Sequence, residues 1–453
     1  MTKQKPSRFQ AAIFGEQSDS AVRKTSRLDS SKKSSQIVRK AKHPESTQLN
    51  MTILIAVITS TFGFMWKASC LNTGWALGNA VTKFIKPCYS DVASLYGPRG
   101  FADGIVPYFQ MQADGQYLEY PVLIGIQMFL TSELTSILQP RSWGMFMSLN
   151  WIINLIFLLL AVKYLHKMSA RAARWLAFSP ALVLVLGINW DTLAVLTTIT
   201  AIWFFKQGKY QQFGVVLGIG MSAKLFPILL LPVAIIYLYK DKNIDGIIRS
   251  VMGALYTWLA INIIFIVGAF QGWLRFFEFS RERGIDFGSP YLAFSYLLNI
   301  QFSTSAANLV GFVLVAVVFV LIYVFRDYIT FEVAAVALIA TFVVFNKVYS
   351  PQFWIWLAPL FALVIPKLWV WIQWNVAQVV YFAAIWAWIA RNDMQYFVDN
   401  PPIYEIFKSH SISAEVYSLG ILVHVFSTIF VVIYVVRHTM RNQPQLVRDQ
   451  SHL

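Results

Sequence analysis

Four carboxylates follow the first long apolar stretch of the chain and are the first groups that could do chemistry. They are Asp91, Asp103, Asp114 and Glu119. A carboxylate at a membrane boundary is costly unless water or a cation solvates it, so we interpret the middle two as parts of a solvated loop paired with Arg99 or Lys86. Asp91 and Glu119 stand among tyrosines and prolines, a setting that favours an ordered pocket in which a carboxylate acts as a general base.

Four cations in later polar segments are candidates to hold a phosphate group. They are Lys224, Arg281, Arg283 and Lys347. A guanidinium fork matches a phosphate bidentately, so the arginines suit a phosphate that leaves during a reaction. Pairing with Glu282, Asp286 or a helix end is the competing interpretation. Lys224 could instead extend its ammonium toward a membrane interface.

A third group of residues suits a sugar. Asp191 follows Trp190, so the carboxylate is a candidate to bind sugar hydroxyls while the indole stacks on the sugar. The alternative for Asp191 is an N-cap of the helix that begins at Thr192. Further candidates for the sugar or acceptor pocket are Glu119, Tyr120, Asp286, Tyr349 and Gln352. For the aromatic members, an interfacial belt is the competing interpretation.

Neither a metal ion nor another cofactor is expected. The six histidines are scattered, and no two have metal-ligand spacing. A Gly-rich phosphate loop of the Walker type is missing from the sequence. The two cysteines, Cys70 and Cys88, fall shortly after the first apolar stretch, where a disulfide and two free thiols are both compatible with the sequence.

The composition indicates that lipid, rather than water, surrounds much of the chain. It is 57% hydrophobic and 13% charged, whereas a soluble domain carries about a quarter charged residues. A net charge of +15 would suggest nucleic acid as a partner of a soluble protein. Here residues 1–50 hold eleven Lys or Arg against four acids, so we expect a disordered cytoplasmic tail and no nucleic-acid partner.

Apolar runs of span length recur along the chain and predict an all-α, polytopic membrane protein. The clear runs are at about 51–68, 144–162, 247–269, 304–325, 369–389 and 414–436. Shorter runs are at about 175–190, 192–206, 212–223, 225–239, 329–345 and 353–366. Together they predict about twelve spans. Several are shorter than the ~20 residues of a full span, which is tolerated where polar backbone lines a water-filled cavity.

Basic residues fix the expected orientation. Lys and Arg cluster in the short loops that share a side with the N-terminus, which places both termini in the cytoplasm and the acid-containing loops outside the cell membrane. The expected organisation is a basic tail over 1–50, a transmembrane catalytic domain over 51–436 and a C-terminal tail over 437–453. Within the domain, 69–119 forms a structured outer loop and 120–138 a juxtamembrane helix. If 120–138 instead crosses the membrane, the number of spans becomes thirteen.

Six short motifs carry a resemblance to a known family. They are Tyr89-Ser90-Asp91, Glu119-Tyr120-Pro121, Asn189-Trp190-Asp191, Lys224-Leu225-Phe226-Pro227, Arg283-Gly284 with Asp286-Phe287-Gly288-Ser289, and Lys347-Val348-Tyr349-Ser350-Pro351-Gln352-Phe353-Trp354. In this order they resemble membrane glycosyltransferases of the GT-C type. The likeness is to glycosyltransferase family 87, the polyprenol-phosphate-mannose-dependent mannosyltransferases of actinobacteria. It covers roughly residues 51–436.

The resemblance implies a reaction. A sugar, with mannose favoured, would pass from a polyprenyl phosphate to a hydroxyl of a lipid or glycan acceptor outside the membrane, with inversion. An Asp of the first outer loop is the general base in such enzymes, and the matching residue here is Asp91. The physical requirements agree, because an oxocarbenium-like transition state needs a base on the acceptor hydroxyl and a cation on the leaving phosphate.

Within the glycosyltransferase class, an arabinofuranosyltransferase that uses the same kind of lipid-phosphate donor is the alternative. Two other classes fit the same composition. A transporter or lipid-linked glycan flippase would also be polytopic, but it would show inverted repeats and charged residues within its spans. We find no repeat, and the acids and arginines lie in loops. A non-catalytic membrane partner in envelope assembly is a third possibility, which the retention of Asp91 disfavours.

Overall fold

The computed structural model describes residues 46–71, 83, 86–395 and 398–450, with side chains through 442. The chain divides into two units, Met1–Met51 and Thr52–Leu453. The predicted basic tail therefore lies almost entirely outside the described residues, as do 72–82 of the predicted first outer loop.

Helices and the turns between them make up the described residues, which contain no β-strand. We number the helices α1 (Ser46–Ala68), α2 (Asp91–Ser94), α3 (Val122–Leu138), α4 (Trp143–Met168), α5 (Ala170–Ala177), α6 (Pro180–Leu184), α7 (Thr192–Lys206), α8 (Tyr210–Ala223), α9 (Leu230–Lys240), α10 (Ile244–Gly268), α11 (Phe270–Glu282), α12 (Pro290–Leu298), α13 (Thr304–Phe325), α14 (Phe331–Val344), α15 (Phe353–Val364), α16 (Leu368–Met394), α17 (Pro401–Ser409) and α18 (Ala414–Gln450). Short 3₁₀ helices lie at Phe101–Asp103 and Phe226–Leu229. The all-helical prediction is confirmed for this part of the chain.

Six stretches are long and apolar enough to cross a membrane. Five are the helices α1, α4, α10, α13 and α16, and the sixth is Pro401–Asn442, which contains α17 and most of α18. Each corresponds to one of the six clear apolar runs of the sequence. The structure is thus compatible with an integral membrane protein.

The long and the short apolar helices occupy different environments. Most side chains of α14 and α15 are buried, whereas α13 buries only Ala307 and Ile322. Large apolar side chains such as Phe312 on α13 are exposed, which suits contact with lipid rather than with water. A helix enclosed by other helices does not need to match the thickness of a bilayer, which is consistent with the short lengths of α14 and α15.

The apolar run at 175–190 is predicted to form one short helix, but the structure divides it between two helices. It forms the end of α5 and the five-residue α6, separated at Ser179. Pro180 has no amide hydrogen and disfavours the helical conformation in the residue before it. Ser179 then caps α6 by accepting a hydrogen bond from the Ala181 amide.

Small residues let α8 and α10 approach closely. A Cβ atom built at Gly218 would lie 2.6 Å from the Ala254 carbonyl oxygen, and one at Gly253 would lie 2.8 Å from the Gln211 carbonyl oxygen. Gly214 and Gly218 are four residues apart and share a face of α8. This spacing of small residues is typical of helix packing in membranes, where van der Waals contact supplies much of the stability.

Replacing Gly218 by Val should destabilise the protein. The added side chain would meet the backbone of α10, and overpacking of this kind costs roughly 1–3 kcal/mol. We expect a lower melting temperature of the detergent-purified protein in a thermal unfolding experiment. Gln212→Val is the matched control, because Gln212 is exposed on the same helix. Equal melting temperatures for the two variants would contradict the close packing.

Candidate functional site

Asp91 begins the short helix α2, and the chain around it is fixed to the segment before α7. The Asp91 amide donates to the Ile188 carbonyl at 2.8 Å, and the Ser90 hydroxyl donates to the Gly187 carbonyl at 2.6 Å. The Tyr89 hydroxyl donates to Asp91 Oδ1 at 2.6 Å. These bonds hold the carboxylate in one orientation, and the Asp91 residue as a whole is partly exposed.

The Asn189 amide connects Asp91 to the other polar groups around it. Its Nδ2 donates to Asp91 Oδ2 at 2.7 Å and to the Tyr120 hydroxyl at 3.1 Å. Its Oδ1 accepts from the Trp190 amide at 2.7 Å and lies 3.5 Å from the Lys224 ammonium. One side chain thus positions a carboxylate, a phenol and a cation.

A buried ion pair completes the arrangement. Lys224 Nζ lies 3.2 Å from Asp191 Oδ1, and the two side chains are only 15% and 3% exposed. The same ammonium lies 5.0 Å from the centre of the Tyr120 ring. We call the six residues that meet here the Asp91 cluster: Tyr89, Asp91, Tyr120, Asn189, Asp191 and Lys224.

Four of the six sequence motifs therefore meet in one place, although 135 positions of the sequence separate Tyr89 from Lys224. Tyr108 helps to fix the motif that contains Tyr120. Its hydroxyl donates to the carbonyls of Tyr120 at 3.0 Å and of Pro121 at 2.8 Å, and its side chain is fully buried. Tyr108 thus supports the site from within the core.

Burial and polar contacts have opposite effects on the pKa values of the two carboxylates, Asp91 and Asp191. Burial raises the pKa of Asp91, and Asp191 adds to this, while the bonds from Tyr89 and Asn189 and the charge of Lys224 lower it. Burial also raises the pKa of Asp191, against the lowering effect of Lys224 and the Trp356 indole. A carboxyl whose pKa is moved toward neutrality is a better proton acceptor at physiological pH than an ordinary one.

Glu119 has a structural partner. Its Oε1 accepts hydrogen bonds from Arg99 Nη2 at 2.6 Å and from Nε at 3.0 Å. This two-bond ion pair corrects the interpretation of Glu119 as a general base, because the carboxylate is already engaged by a guanidinium. Glu119 instead anchors the chain next to Tyr120. The solvated interpretation of Asp103 fits its exposed ion pair with Arg141.

The roles predicted for Trp190 and the Asp191 side chain also need correction. Trp190 is fully buried, donates from Nε1 to Asn150 Oδ1 at 2.6 Å and packs edge-on against Tyr120. Its faces are covered by protein, so it supports Tyr120 and does not stack on a sugar. Asp191 stands at the N-cap of α7 but makes no side-chain cap bond, because its carboxylate turns toward Lys224.

The two remaining motifs form a second group, which we call the paired loops, residues 281–289 and 346–352. The Asp286 amide donates to the Lys347 carbonyl at 3.0 Å, and the Tyr349 amide donates to the Phe287 carbonyl at 2.7 Å. Arg283 Nη2 lies 2.9 Å from Asp286 Oδ2, and Lys347 Nζ donates to the Arg281 carbonyl at 3.1 Å. Burial lowers the pKa of Lys347, and the nearby Arg283 charge adds to this.

Side chains from α16 and α18 close over the paired loops. Gly288 has a φ of 64°, and a Cβ there would collide with the Tyr381 hydroxyl and the Tyr349 carbonyl. Its amide donates to the Tyr417 hydroxyl at 3.0 Å, and its carbonyl lies 3.1 Å from His424 Nε2.

Tyr349 is fully buried and donates to Gln378, which corrects its assignment to a sugar pocket. Gln352 stays partly exposed at the start of α15.

The expected meeting of Asp91 with the arginines is not seen as direct contact. In the described part of the chain, no hydrogen bond or ion pair joins Arg281 or Arg283 to the Asp91 cluster. Trp386 on α16 contacts the Tyr89 ring, while Trp388 contacts Phe287 of the paired loops. Positions two apart project about 200° apart around a helix, so α16 reaches the two groups with different faces.

Sequence reasoning missed several supports of the site. Lys67, in the last turns of α1, is buried and donates to the Pro87 carbonyl at 3.3 Å, and it is electrostatically coupled to Asp91. A disulfide between Cys70 and Cys88 ties the end of α1 to the chain three residues before Asp91. This settles the choice that the sequence left open between a disulfide and two thiols. A lysine inside an otherwise apolar run was the available signal for Lys67.

Comparisons with known proteins give no family for this chain. No protein-family model matches it, and no curated protein is significantly similar to it. Among the described residues, no group of three or more His, Cys, Asp or Glu is placed to hold a metal ion.

Removing the Lys224 charge should destabilise the protein strongly. Lys224→Met leaves Asp191 buried without its cation, a change that typically costs about 3–5 kcal/mol. Thermal unfolding of the purified protein measures the loss. The control is Lys408→Met, since the pair of Lys408 with Glu405 is exposed and is expected to contribute about 0–1 kcal/mol. A Lys224 variant as stable as the Lys408 variant would show that the ion pair is not structurally important.

Proposed function

We propose that the chain is a membrane glycosyltransferase of the GT-C type. It transfers a sugar, with mannose favoured, from a polyprenyl-phosphate donor to a hydroxyl of a lipid or glycan acceptor, with inversion. In this proposal about twelve segments cross the cell membrane, both termini are cytoplasmic and the Asp91 cluster faces outward. The observation that carries it is that residues from four separate motifs converge at the hydrogen-bonded carboxylate of Asp91, a partly exposed residue.

Asp91 is assigned as the general base. Its two oxygens are oriented by Tyr89 and Asn189, and the Asp91 residue is partly exposed. A base must lie within hydrogen-bond reach of the hydroxyl that it deprotonates, and fixed orientation lowers the entropic cost of that approach. Asp191 is less suited, because it is 3% exposed and paired with Lys224.

The leaving phosphate is assigned to the cations of the paired loops. Arg283 is partly exposed and its guanidinium is paired with Asp286, three residues away, so the phosphate can replace or share that partner. In an inverting displacement the acceptor and the leaving group occupy opposite faces of the sugar ring. A whole sugar therefore separates the base from the phosphate, and Arg283 does not need to touch Asp91. Lys224 instead compensates the two carboxylates of the Asp91 cluster.

One observation favours the transporter as a second candidate. Lys67, Asp191 and Lys224 are charged side chains buried between helices, and charges in such positions mark transport pathways in many membrane proteins. A transporter would move its solute without transferring a sugar. The assay below therefore separates the two candidates.

Replacing Asp91 by Asn should abolish sugar transfer in a folded protein. Asn keeps the shape of the side chain but cannot accept the proton, and loss of a general base typically costs about 100- to 10,000-fold in rate. The measurement is transfer of radiolabelled mannose from polyprenyl-phosphate-mannose to envelope extract by the purified protein.

Asp103→Asn is the matched control, because Asp103 is an exposed carboxylate of the same loop. It should keep wild-type activity. Full transfer by the Asp91 variant would exclude Asp91 as the base. No transfer by the wild type with any lipid-phosphate sugar would favour the transporter.

Replacing Tyr89 by Phe should move the acidic limb of the pH–rate profile to higher pH. The Tyr89 hydroxyl bonds the ionised carboxylate and so lowers the pKa of Asp91. Without it the pKa rises, and a higher pH is needed to keep the base deprotonated. The profile of kcat/KM against pH measures this, with Tyr117→Phe in the same loop as the control. A shift to lower pH, or none, would contradict the assignment.

A further inference from the structure

A cavity lies outside the Asp91 cluster, beside the paired loops. Its volume is about 480 Å³, within the range of small-molecule sites, about 300–1,000 Å³. The end of α12, the start of α13 and the turn between them form its wall. The residues that the argument uses are Ser295, Tyr296, Asn299, Gln301, Phe302 and Thr304.

The chemistry of the wall is neutral and rich in hydrogen-bonding groups. Asn299 and Gln301 each present an amide that both donates and accepts, and Thr304 adds a hydroxyl. Asn299 and Gln301 are exposed. Asn299 has a φ of 53°, in the left-handed region that Asn tolerates better than most residues, and it ends α12. Amides and hydroxyls together match the alternating hydroxyls of a sugar.

Aromatic rings complete a surface that suits carbohydrate. Tyr296 and Phe302 line the cavity, and Phe302 packs edge-on against Tyr291, which fixes its ring. The apolar face of a sugar ring can lie on such rings. Ile285 of the paired loops also lines the cavity, and a Cβ atom at the neighbouring Gly284 would lie 4.0 Å from the Thr304 hydroxyl.

An anion or a lipid tail fits this cavity less well. Among the described residues that line it there is no Asp, Glu, Lys or Arg, so the wall itself offers no charge to pair with an anion. A lipid tail would leave the amides and hydroxyls of the wall without partners, which costs free energy. A neutral, hydroxyl-rich ligand satisfies both constraints.

We infer that this cavity is a subsite for a neutral oligosaccharide, the part of the acceptor glycan that lies away from the reacting hydroxyl. The inference rests on the proposed function for the identity of the ligand as an acceptor. Binding energy from such a remote subsite would help to position the acceptor at Asp91. The acceptor is accordingly a glycan of at least two sugars and not a bare lipid alcohol.

The test measures saccharide binding separately from transfer. The full-length protein in detergent is titrated with a neutral α-linked mannose disaccharide and followed by calorimetry. The variant is Asn299→Gly with Gln301→Ala, which retains a residue that accepts the left-handed conformation and removes both amides. We expect its Kd to rise about tenfold or more, because each lost hydrogen bond contributes about 1 kcal/mol. The control Gln212→Ala removes an exposed amide on α8 and should bind like the wild type.

The same titrations in the Asp91→Asn background distinguish the two proposals. Binding that persists there and weakens with the double variant supports the subsite, whether or not any sugar is transferred. If the wild type binds no disaccharide at millimolar concentration, the subsite is excluded even when transfer to a lipid acceptor is observed. Equal binding by wild type and double variant also excludes it, because the saccharide would then lie elsewhere.

Discussion

The ion pair of Asp191 with Lys224 withdraws two charges from water where four chain segments meet, and the local structure depends on satisfying them. A buried charge is tolerated when it is paired and when the remaining polar groups are hydrogen-bonded. Asn189 connects this pair to the rest of the cluster, since its amide bonds Asp91, Tyr120 and the Trp190 backbone and lies close to Lys224. The Asp91 carboxylate is held by hydrogen bonds from Tyr89 and from Asn189.

Around this polar centre, hydrogen bonds and a disulfide hold the loop segments that contain Tyr120 and Asp91 in fixed positions. Tyr108 binds two carbonyls of the Tyr120 segment, and the Cys70–Cys88 disulfide joins the segment before Asp91 to α1. The paired loops are held in the same manner by backbone hydrogen bonds and by Tyr417. A site that must orient a long lipid-linked substrate benefits from such preorganisation, because misplacement of reacting atoms is costly.

In the proposed reaction the two groups of polar residues act on different parts of the substrates. The Asp91 cluster and the paired loops contact α16 through Trp386 and Trp388 and share no ion pair among the described residues. In the proposed reaction a sugar ring lies between base and phosphate. The neutral cavity at α12 and α13 would then hold sugars further along the acceptor. In this proposal the Asp91 carboxylate meets the acceptor hydroxyl, the cations of the paired loops meet the leaving phosphate, and the amides of the cavity meet the remaining sugars of the acceptor.

The sequence alone determined the helical class, the six long apolar helices and the residue types in the polar motifs, because hydropathy and helical period are local properties. It also separated Asp103, an exposed loop acid, from Asp91. Tertiary structure decided which motifs meet: four of them at Asp91, and two at Gly288. It placed Trp190 and Tyr349 in the core, paired Glu119 with Arg99 and brought in Lys67. Those outcomes depend on contacts between distant segments, and burial and pairing between such segments are not encoded in local spacing.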